Sequence, residues 1–227
     1  ENTVWDSTFS SFEAQKAWLL EKRPQILALY ANLMTKIRLL ALIRFVRTHP
    51  ALTHTTIIVG GPDVTHNIAA YLSEGADALA VGEGEQTLLE WTQADLQNPH
   101  DRTAWHRIEG LAFRDTESNL YRNAERAKIK NLDLLPLPAR HKIDFNQYLE
   151  AWQKAHGHSA ISISTQRGCP YTCRWCSTAV YGQSYRRRSP AVVAQEIAHV
   201  QAHYLFDTIW FVDDVFTISH KWLCGFQ

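Results

Sequence analysis

Cys169-Pro170-Tyr171-Thr172-Cys173-Arg174-Trp175-Cys176 places three cysteines at offsets 0, 4 and 7. Thiolates are soft ligands that suit zinc or iron–sulfur clusters. A structural zinc site usually takes four protein ligands, paired as C-x2-C. The only other cysteine, Cys224, lies far downstream, and the set of three is complete without it. A [4Fe–4S] cluster on three thiolates has one iron without a protein ligand, open to a small molecule. A redox-inert zinc knuckle or three unrelated thiols are the plainer alternatives. Working outward, residues 159–165 alternate like a strand, and Gln166-Arg167-Gly168 leads from it into the cysteines. Residues 190–202 read as a helix with Val192, Val193, Ile197 and Val200, and Pro190 suits its first turn. Glu196 shares that spacing and is placed to turn inward towards an arginine. Residues 208–212 form a second strand ending in Asp213-Asp214, with Thr217 or Ser219 as the cap of a further helix. This order puts the cysteines at the carboxyl end of a first parallel strand, the face on which barrel active sites lie.

With 227 residues, 45% of them hydrophobic, the chain can bury a sizeable core in one large domain or two small ones. Lys plus Arg is 23 and Asp plus Glu is 23, a formal balance of zero. That balance argues against a nucleic-acid groove or a polybasic membrane patch. No run is long enough to span a bilayer, and Glu1-Asn2-Thr3-Val4-Trp5-Asp6 does not read as a secretory leader. Four cysteines, three of them in one run, point to a reducing cytoplasm rather than a disulfide scaffold. The chain opens without Met and stops abruptly at Gly225-Phe226-Gln227, as expected of a piece of a longer protein.

Residues 1–95 alternate between strand and helix patterns. Residues 3–5 are read as a strand end, 11–23 as a helix stopped by Pro24, and 25–30 as an apolar strand. Residues 36–48 give an amphipathic helix with Ile37, Leu40, Ile43 and Val46 on one face. Strands at 55–59 and 76–81 follow, with helices at 67–75 and from 87. This repeat implies a parallel sheet with helices on both faces. Such sheets bind ligands beyond the carboxyl ends of their strands. Gly60-Gly61-Pro62 and Gly82-Glu83-Gly84-Glu85 lie there. Read alone, they are ordinary turns or places where a ligand approaches the backbone closely. Neither makes the G-x-G-x-x-G dinucleotide fingerprint. His66 reads as a hydrogen-bonded or solvated turn residue. Residues 96–158 read as a connector, with a hairpin across 108–122, an extended 132–141 containing Pro136 and Pro138, and an aromatic stretch at 144–155.

The cysteine run, with aromatic Trp175 just before its last cysteine, resembles the signature of the radical S-adenosylmethionine (radical SAM) enzymes. The segment before it resembles the cobalamin-binding domain of the B12-dependent, or class B, subgroup. Ile58-Val59-Gly60-Gly61-Pro62 and Val81-Gly82-Glu83-Gly84-Glu85 look like that family's two late turns, and Ala31-Asn32-Leu33 falls near its small-residue loop. The Asp-x-x-Pro-x-Pro-Ala-Arg pattern at 133–140 is similar to its interdomain join. The resemblance implies an α/β fold: a partial Rossmann-like parallel sheet over 1–95, a connector over 96–158, and the first units of a radical SAM partial (β/α)6 barrel over 159–227.

The same resemblance implies a [4Fe–4S] cluster on Cys169, Cys173 and Cys176. It directs Trp175, Asp213, Asp214 and Arg188 (in Arg188-Ser189-Pro190) towards S-adenosylmethionine or the cluster loop, the acidic pair meeting the amino group. It directs Asn32, Gly60, Gly61, Gly82, Glu83 and Gly84 towards cobalamin. An Asp-x-His-x-x-Gly motif is absent from the sequence, so the axial ligand of cobalt stays open. The implied activity is reductive cleavage of S-adenosylmethionine to a 5'-deoxyadenosyl radical, with methyl transfer to an unactivated carbon as the outcome. Radical cyclisation or rearrangement is the alternative, and a structural or electron-transfer cluster module is the reading from another class. A methylthiotransferase would bring three further cysteines upstream, and none precedes Cys169. A reductant such as flavodoxin or ferredoxin and a small-molecule substrate are the implied partners, and residues 1–227 alone are expected to be inactive. No residue identifies the substrate or a catalytic group.

Overall fold

The computed structural model describes residues 2–176 and 180–227. They form two compact units: Ser10–Lys128, and residues up to Phe9 together with Ile129–Gln227.

The first unit is built on a five-stranded sheet in the order β1-β2-β3-β4-β5. Its strands are β1 Ile26–Tyr30, β2 Thr56–Gly60, β3 Ala78–Ala80, β4 Leu111–Arg114 and β5 Leu120–Arg122. The first three are parallel, with Ala28 opposite Ile58 and Ile58 opposite Ala78. β4 and β5 run antiparallel, so the sheet is mixed rather than wholly parallel. The cause lies after α4 (Glu85–Gln97). The chain turns at His100, where φ is 62°, makes a short 3-10 turn at Ala104–Arg107, and meets β3 from its carboxyl end. There Val81 N–H donates to the Gly110 carbonyl at 2.7 Å. The hairpin that sequence grouped with the connector is thus the antiparallel edge of this sheet. Its turn is made by Asp115, whose carboxylate accepts from the N–H groups of Glu117 (2.9 Å) and Asn119 (2.7 Å).

β2 is buried along its length, and its alternate side chains enter two different cores. Ile57 and Val59 pack with Leu42, Ile43 and Val46 of α2 (Lys36–Thr48) and Tyr71 of α3 (Ile68–Glu74). Ile58 packs on the other face with Ala78, Ala80, Trp91, Trp105 and Phe113. α1 (Phe12–Lys22) completes the first of these layers; Ser11 Oγ caps it by accepting from Ala14 N–H at 3.1 Å, and Arg23 ends it at φ 43° before Pro24. Trp105 is fully buried between Trp91 and Phe113, with ring centroids 5.6 Å from each. Trp105→Ala is expected to destabilise this unit by about 3–5 kcal/mol, read as a lower urea midpoint. An unchanged midpoint would contradict the packing described.

The second unit contains α5 (Phe145–His156), β6 (Ala160–Ile163), β7 (Gln166–Arg167), β8 (Arg186–Arg187), α6 (Pro190–His203), β9 (Thr208–Phe211) and α7 (His220–Phe226). β6 and β9 pair in parallel, with Ile161 opposite Ile209. Ile161, Ile163, Val193, Val200 and Leu149 form the core between sheet and helices. Ser189 Oγ caps α6 by accepting from Val192 N–H at 3.4 Å, with Pro190 in the first turn. Ser219, not Thr217, caps α7, accepting from Trp222 N–H at 3.2 Å. Asp207 joins the starts of β6 and β9, accepting from the Ser159 N–H (2.7 Å) and hydroxyl (2.9 Å). Those bonds, the backbone one first, hold its carboxyl below the usual carboxylate range.

Residues 3–5, expected as a strand, form none. A strand needs a partner row, and this segment is tied down by side chains instead. Lys142 Nζ donates to Asn2 Oδ1 at 2.6 Å, and the Tyr148 hydroxyl meets Asp6 and Thr8. Among the described residues this unit holds one parallel strand pair and no closed barrel. None of its helices, nor those of the first unit, is long and apolar enough to cross a membrane among the described residues.

Candidate metal and cofactor sites

The cysteine loop leaves the second unit just after β6, and its stem is sealed. β7 and β8 pair Gln166 with Arg187 and Arg167 with Arg186. One step further out, Cys169 bridges to Gln183. Gly168 lies between them at φ +76°, and a Cβ there would collide with the Ser184 carbonyl oxygen. Cys169 is half-buried at the stem, Cys173 and Cys176 are exposed, and all three are free thiols. Cys176 N–H donates to the Cys173 carbonyl at 3.0 Å, folding the last two cysteines into one turn. Trp175 is 90% exposed beside them.

Among the described residues, no three His, Cys, Asp or Glu side chains are gathered closely enough to share one metal ion. The fit of this loop to a cluster therefore rests on donor chemistry: three unpaired soft ligands on one anchored loop. Closure of such a ligand set is ordinarily coupled to metal binding itself.

The charged residues around the stem have definite partners. Glu196, 1% exposed on α6, pairs with Arg140 at 2.7 Å and with Arg188. Arg188 also donates to the Ser164 carbonyl at 3.0 Å. Its guanidinium is thus engaged by Glu196 and by backbone at the launch of the loop; the resemblance offers it either the ordering of the cluster loop or a cofactor carboxylate. Glu196 does turn inward, as its spacing on α6 suggested. Asp213 is likewise engaged. It accepts from the N–H groups of Thr165 (2.8 Å) and Gln166 (3.2 Å), the Ser164 hydroxyl (3.2 Å) and the Thr165 hydroxyl. That carboxylate ties the end of β9 to the launch point of the loop, while Asp214 beside it is exposed. Sequence reasoning did not find the partners of Asp133 and Arg140. Asp133 accepts from Ser189 N–H at 2.8 Å, and Arg140 also donates to the Ser162 carbonyl at 3.1 Å. Both ends of the 133–140 motif therefore lock onto β6 and α6, which only the pairing of distant residues reveals.

In the first unit, the candidate residues collect at the carboxyl edge of β1–β3. Ala31 N–H donates to the Gly60 carbonyl at 2.7 Å, and a Cβ on Gly61 (φ +112°) would strike the Ala31 carbonyl oxygen. Gly61 is thus required by the packing of one βα turn on the next. Gly82 (φ +86°) has open space where a Cβ would stand, and Gly84 lies on Ala80 at 3.5 Å. Glu83 between them is half-buried. Asn32 closes the turn that precedes α2: its Oδ1 accepts from Thr35 N–H at 2.9 Å, and its own N–H donates to Thr35 Oγ1 at 3.0 Å. Tyr30, Leu33, Met34 and Ile37 are all exposed alongside, Met34 by 89%. His66 is exposed in the 3-10 turn Val64–His66.

No protein-family model matches the sequence. The chain is 31% identical over 169 residues to an uncharacterized methyltransferase of Pyrococcus horikoshii, covering 73% of this chain and 34% of that protein. It is 28% identical over 185 residues to the cytidylyl-2-hydroxyethylphosphonate methyltransferase of Streptomyces wedmorensis, covering 70% and 34%. An anaerobic magnesium-protoporphyrin IX monomethyl ester cyclase of Synechocystis is 28% identical over 156 residues, covering 64% and 28%. The chain thus spans about a third of the length of the curated relatives it matches. Among solved structures, the cobalamin-dependent S-adenosylmethionine radical enzyme OxsB, with aqua-cobalamin and S-adenosylmethionine bound, superposes with a TM-score of 0.72 at 18% identity, covering 91% of this chain and 28% of that one. The radical S-adenosylmethionine methyltransferase TsrM of Kitasatospora setae gives 0.64 at 18% identity, covering 89% and 39%. The α/β fold with mixed sheets described above resembles the corresponding part of these two solved enzymes.

Proposed function

We propose that this chain belongs to an enzyme that binds a [4Fe–4S] cluster on Cys169, Cys173 and Cys176 and uses it on S-adenosylmethionine, with cobalamin as second cofactor. The observation that carries the reading is the sealed loop with three free thiols at the carboxyl end of β6. A cluster held there would pass one electron from the reductant to the sulfonium, so that the C–S bond parts into methionine and a 5'-deoxyadenosyl radical, the demanding chemistry that cofactors bring to proteins. The chain's own residues position it. Gly168 and the β7–β8 pair fix the stem, and Asp213 fixes the residues that launch the loop. Exposed Trp175 lies beside the last thiol and Asp214 beyond β9, the aromatic and acidic side chains assigned to the cofactor.

Cobalamin is assigned to the carboxyl edge of β1–β3. Open Gly82, with Glu83 and Gly84, and the exposed apolar group Tyr30, Leu33, Met34 and Ile37 suit a broad flat ligand. Gly60, Gly61 and Asn32 shape that edge through turn packing. Methyl transfer is the reaction we assign, because two of the relatives above carry that name. Radical cyclisation is the second reading, on the cyclase relative. A small-molecule substrate, a low-potential reductant of the flavodoxin or ferredoxin kind and a reducing cytoplasmic setting complete the proposal.

The test uses the protein expressed from its complete reading frame and reconstituted anaerobically with iron, sulfide and cobalamin. Under a strong reductant, S-adenosylmethionine is expected to yield 5'-deoxyadenosine, and Cys173→Ala to abolish both the cluster absorption and the product. Intact cluster and bound S-adenosylmethionine without product would sink the radical reading. A corrin band that does not co-elute on gel filtration would remove cobalamin from it.

A further inference from the structure

Two histidines stand one turn apart at the end of α6. His199 and His203 are both exposed, and their ring centroids lie 4.3 Å apart. Residues four apart on a helix are surface neighbours. Val193, Glu196 and Val200, each at most 1% exposed, anchor the helix and fix its rotation. His203 Nδ1 lies 2.7 Å from the His199 carbonyl oxygen. A carbonyl only accepts, so Nδ1 carries the hydrogen and donates it, and Nε2 keeps its lone pair. Metal-binding histidines are oriented in this way, by a hydrogen bond from the nitrogen that does not ligate.

The place in the helix favours a cation as well. His203 is the last residue of α6, and the Val200 carbonyl takes the closing bond from Tyr204 N–H at 2.9 Å. The carboxyl end of a helix carries partial negative charge. α6 starts at the stem of the cysteine loop and ends before β9. Its 14 residues span about 21 Å, so the pair lies at the other end of the strand pair from the thiols. Imidazole suits zinc, copper and nickel, whereas calcium and magnesium take oxygen donors. Two histidines at i and i+4 are the spacing with which a helix face holds zinc. Among the described residues no third His, Cys, Asp or Glu completes the set. Water therefore fills the other positions, and the ion exchanges more readily than four-ligand structural zinc.

We propose that His199 and His203 form an exchangeable site for one divalent ion of the zinc class. The site is separate from the cysteine loop and independent of the functional reading above.

The experiment uses zinc alone as the probe. Protein from the complete reading frame, reconstituted anaerobically with iron and sulfide, is dialysed against a series of zinc concentrations, and zinc and iron per chain are measured. At the lower concentrations wild type is expected to hold one zinc more than His199→Ala or His203→Ala. A second ligand on the same helix makes its bond intramolecular, so losing either is expected to weaken this ion about a hundredfold. The double variant is expected to bind no worse than either single one. Alanine is the best helix former, so the variants keep α6, and circular dichroism checks it. His203→Ala with Gln201→His keeps two histidines but sets them on different faces, and it is expected to bind like His203→Ala. Zinc on the cysteines or elsewhere is common to all these proteins and cancels in the comparison, with equal iron content as the check. Equal zinc in wild type and both single variants would overturn the site. A loss confined to one of the two histidines would also overturn it, as would a relocated pair that restores the ion.

Discussion

Glu196→Ala is expected to destabilise the unit that carries β6 and α6 by about 3–5 kcal/mol, the cost of leaving a buried ion group without its counter-charge. Glu196 is 1% exposed, and Arg140 and Arg188 both converge on it. Removing the carboxylate strands two guanidinium groups that are themselves largely buried, at 11% and 14% side-chain exposure. The loss also loosens two joins. Arg140 reaches the Ser162 carbonyl on β6, and Arg188 reaches the Ser164 carbonyl just past it. The measurement is the urea midpoint followed by far-ultraviolet circular dichroism. Replacing all three residues with apolar ones of similar volume is expected to recover most of the stability, since buried ion pairs add little over well-packed hydrophobic groups. A Glu196→Ala midpoint within error of wild type would mean that the arginines reach water unaided, and the triad would then not hold the 133–140 segment to β6.

Much of the architecture was legible because it is written in short-range periodicity. α2 has the bounds read from its apolar face, 36–48, and the strands at β1, β2, β6 and β9 fall where β-branched and apolar runs predict them. The direction of β4 was not legible, because a hairpin pattern does not say whether it docks on a sheet or stays in a linker. β7 and β8 are two residues each, too short to leave any periodic trace. The site shows the same split. Three cysteines at offsets 0, 4 and 7 stand out as candidate soft ligands from the sequence itself. The partners of Asp213, Arg188 and Glu196 are set by contacts between residues distant in sequence. An acidic pair at a strand end thus reads as two candidate ligands, although the fold ties Asp213 to Thr165 and Gln166 and leaves Asp214 exposed.

On the proposed cluster reading, Gly168→Val is expected to abolish iron incorporation at Cys169, Cys173 and Cys176 while Ser10–Lys128 stays folded. Two separate constraints meet at this position. Its φ of +76° lies in the left-handed region, which a β-branched residue almost never adopts. Any Cβ there also collides with the backbone carbonyl oxygen of Ser184, and a backbone atom cannot swing aside as a side-chain tip can. Relief requires parting the stem, which undoes the Cys169–Gln183 bridge and the β7–β8 pair that bring the two ends of the loop together. Cys169 then loses its anchor relative to Cys173 and Cys176. Gly157→Ala is the matched control. Its φ is +79°, but a Cβ there meets nothing within 4 Å. It is expected to incur only the left-handed backbone cost of about 1–2 kcal/mol and to keep full iron content. Iron and acid-labile sulfide per chain after anaerobic reconstitution distinguish the two. If Gly168→Val holds as much iron as Gly157→Ala, the closed stem is not what the proposed cluster site depends on.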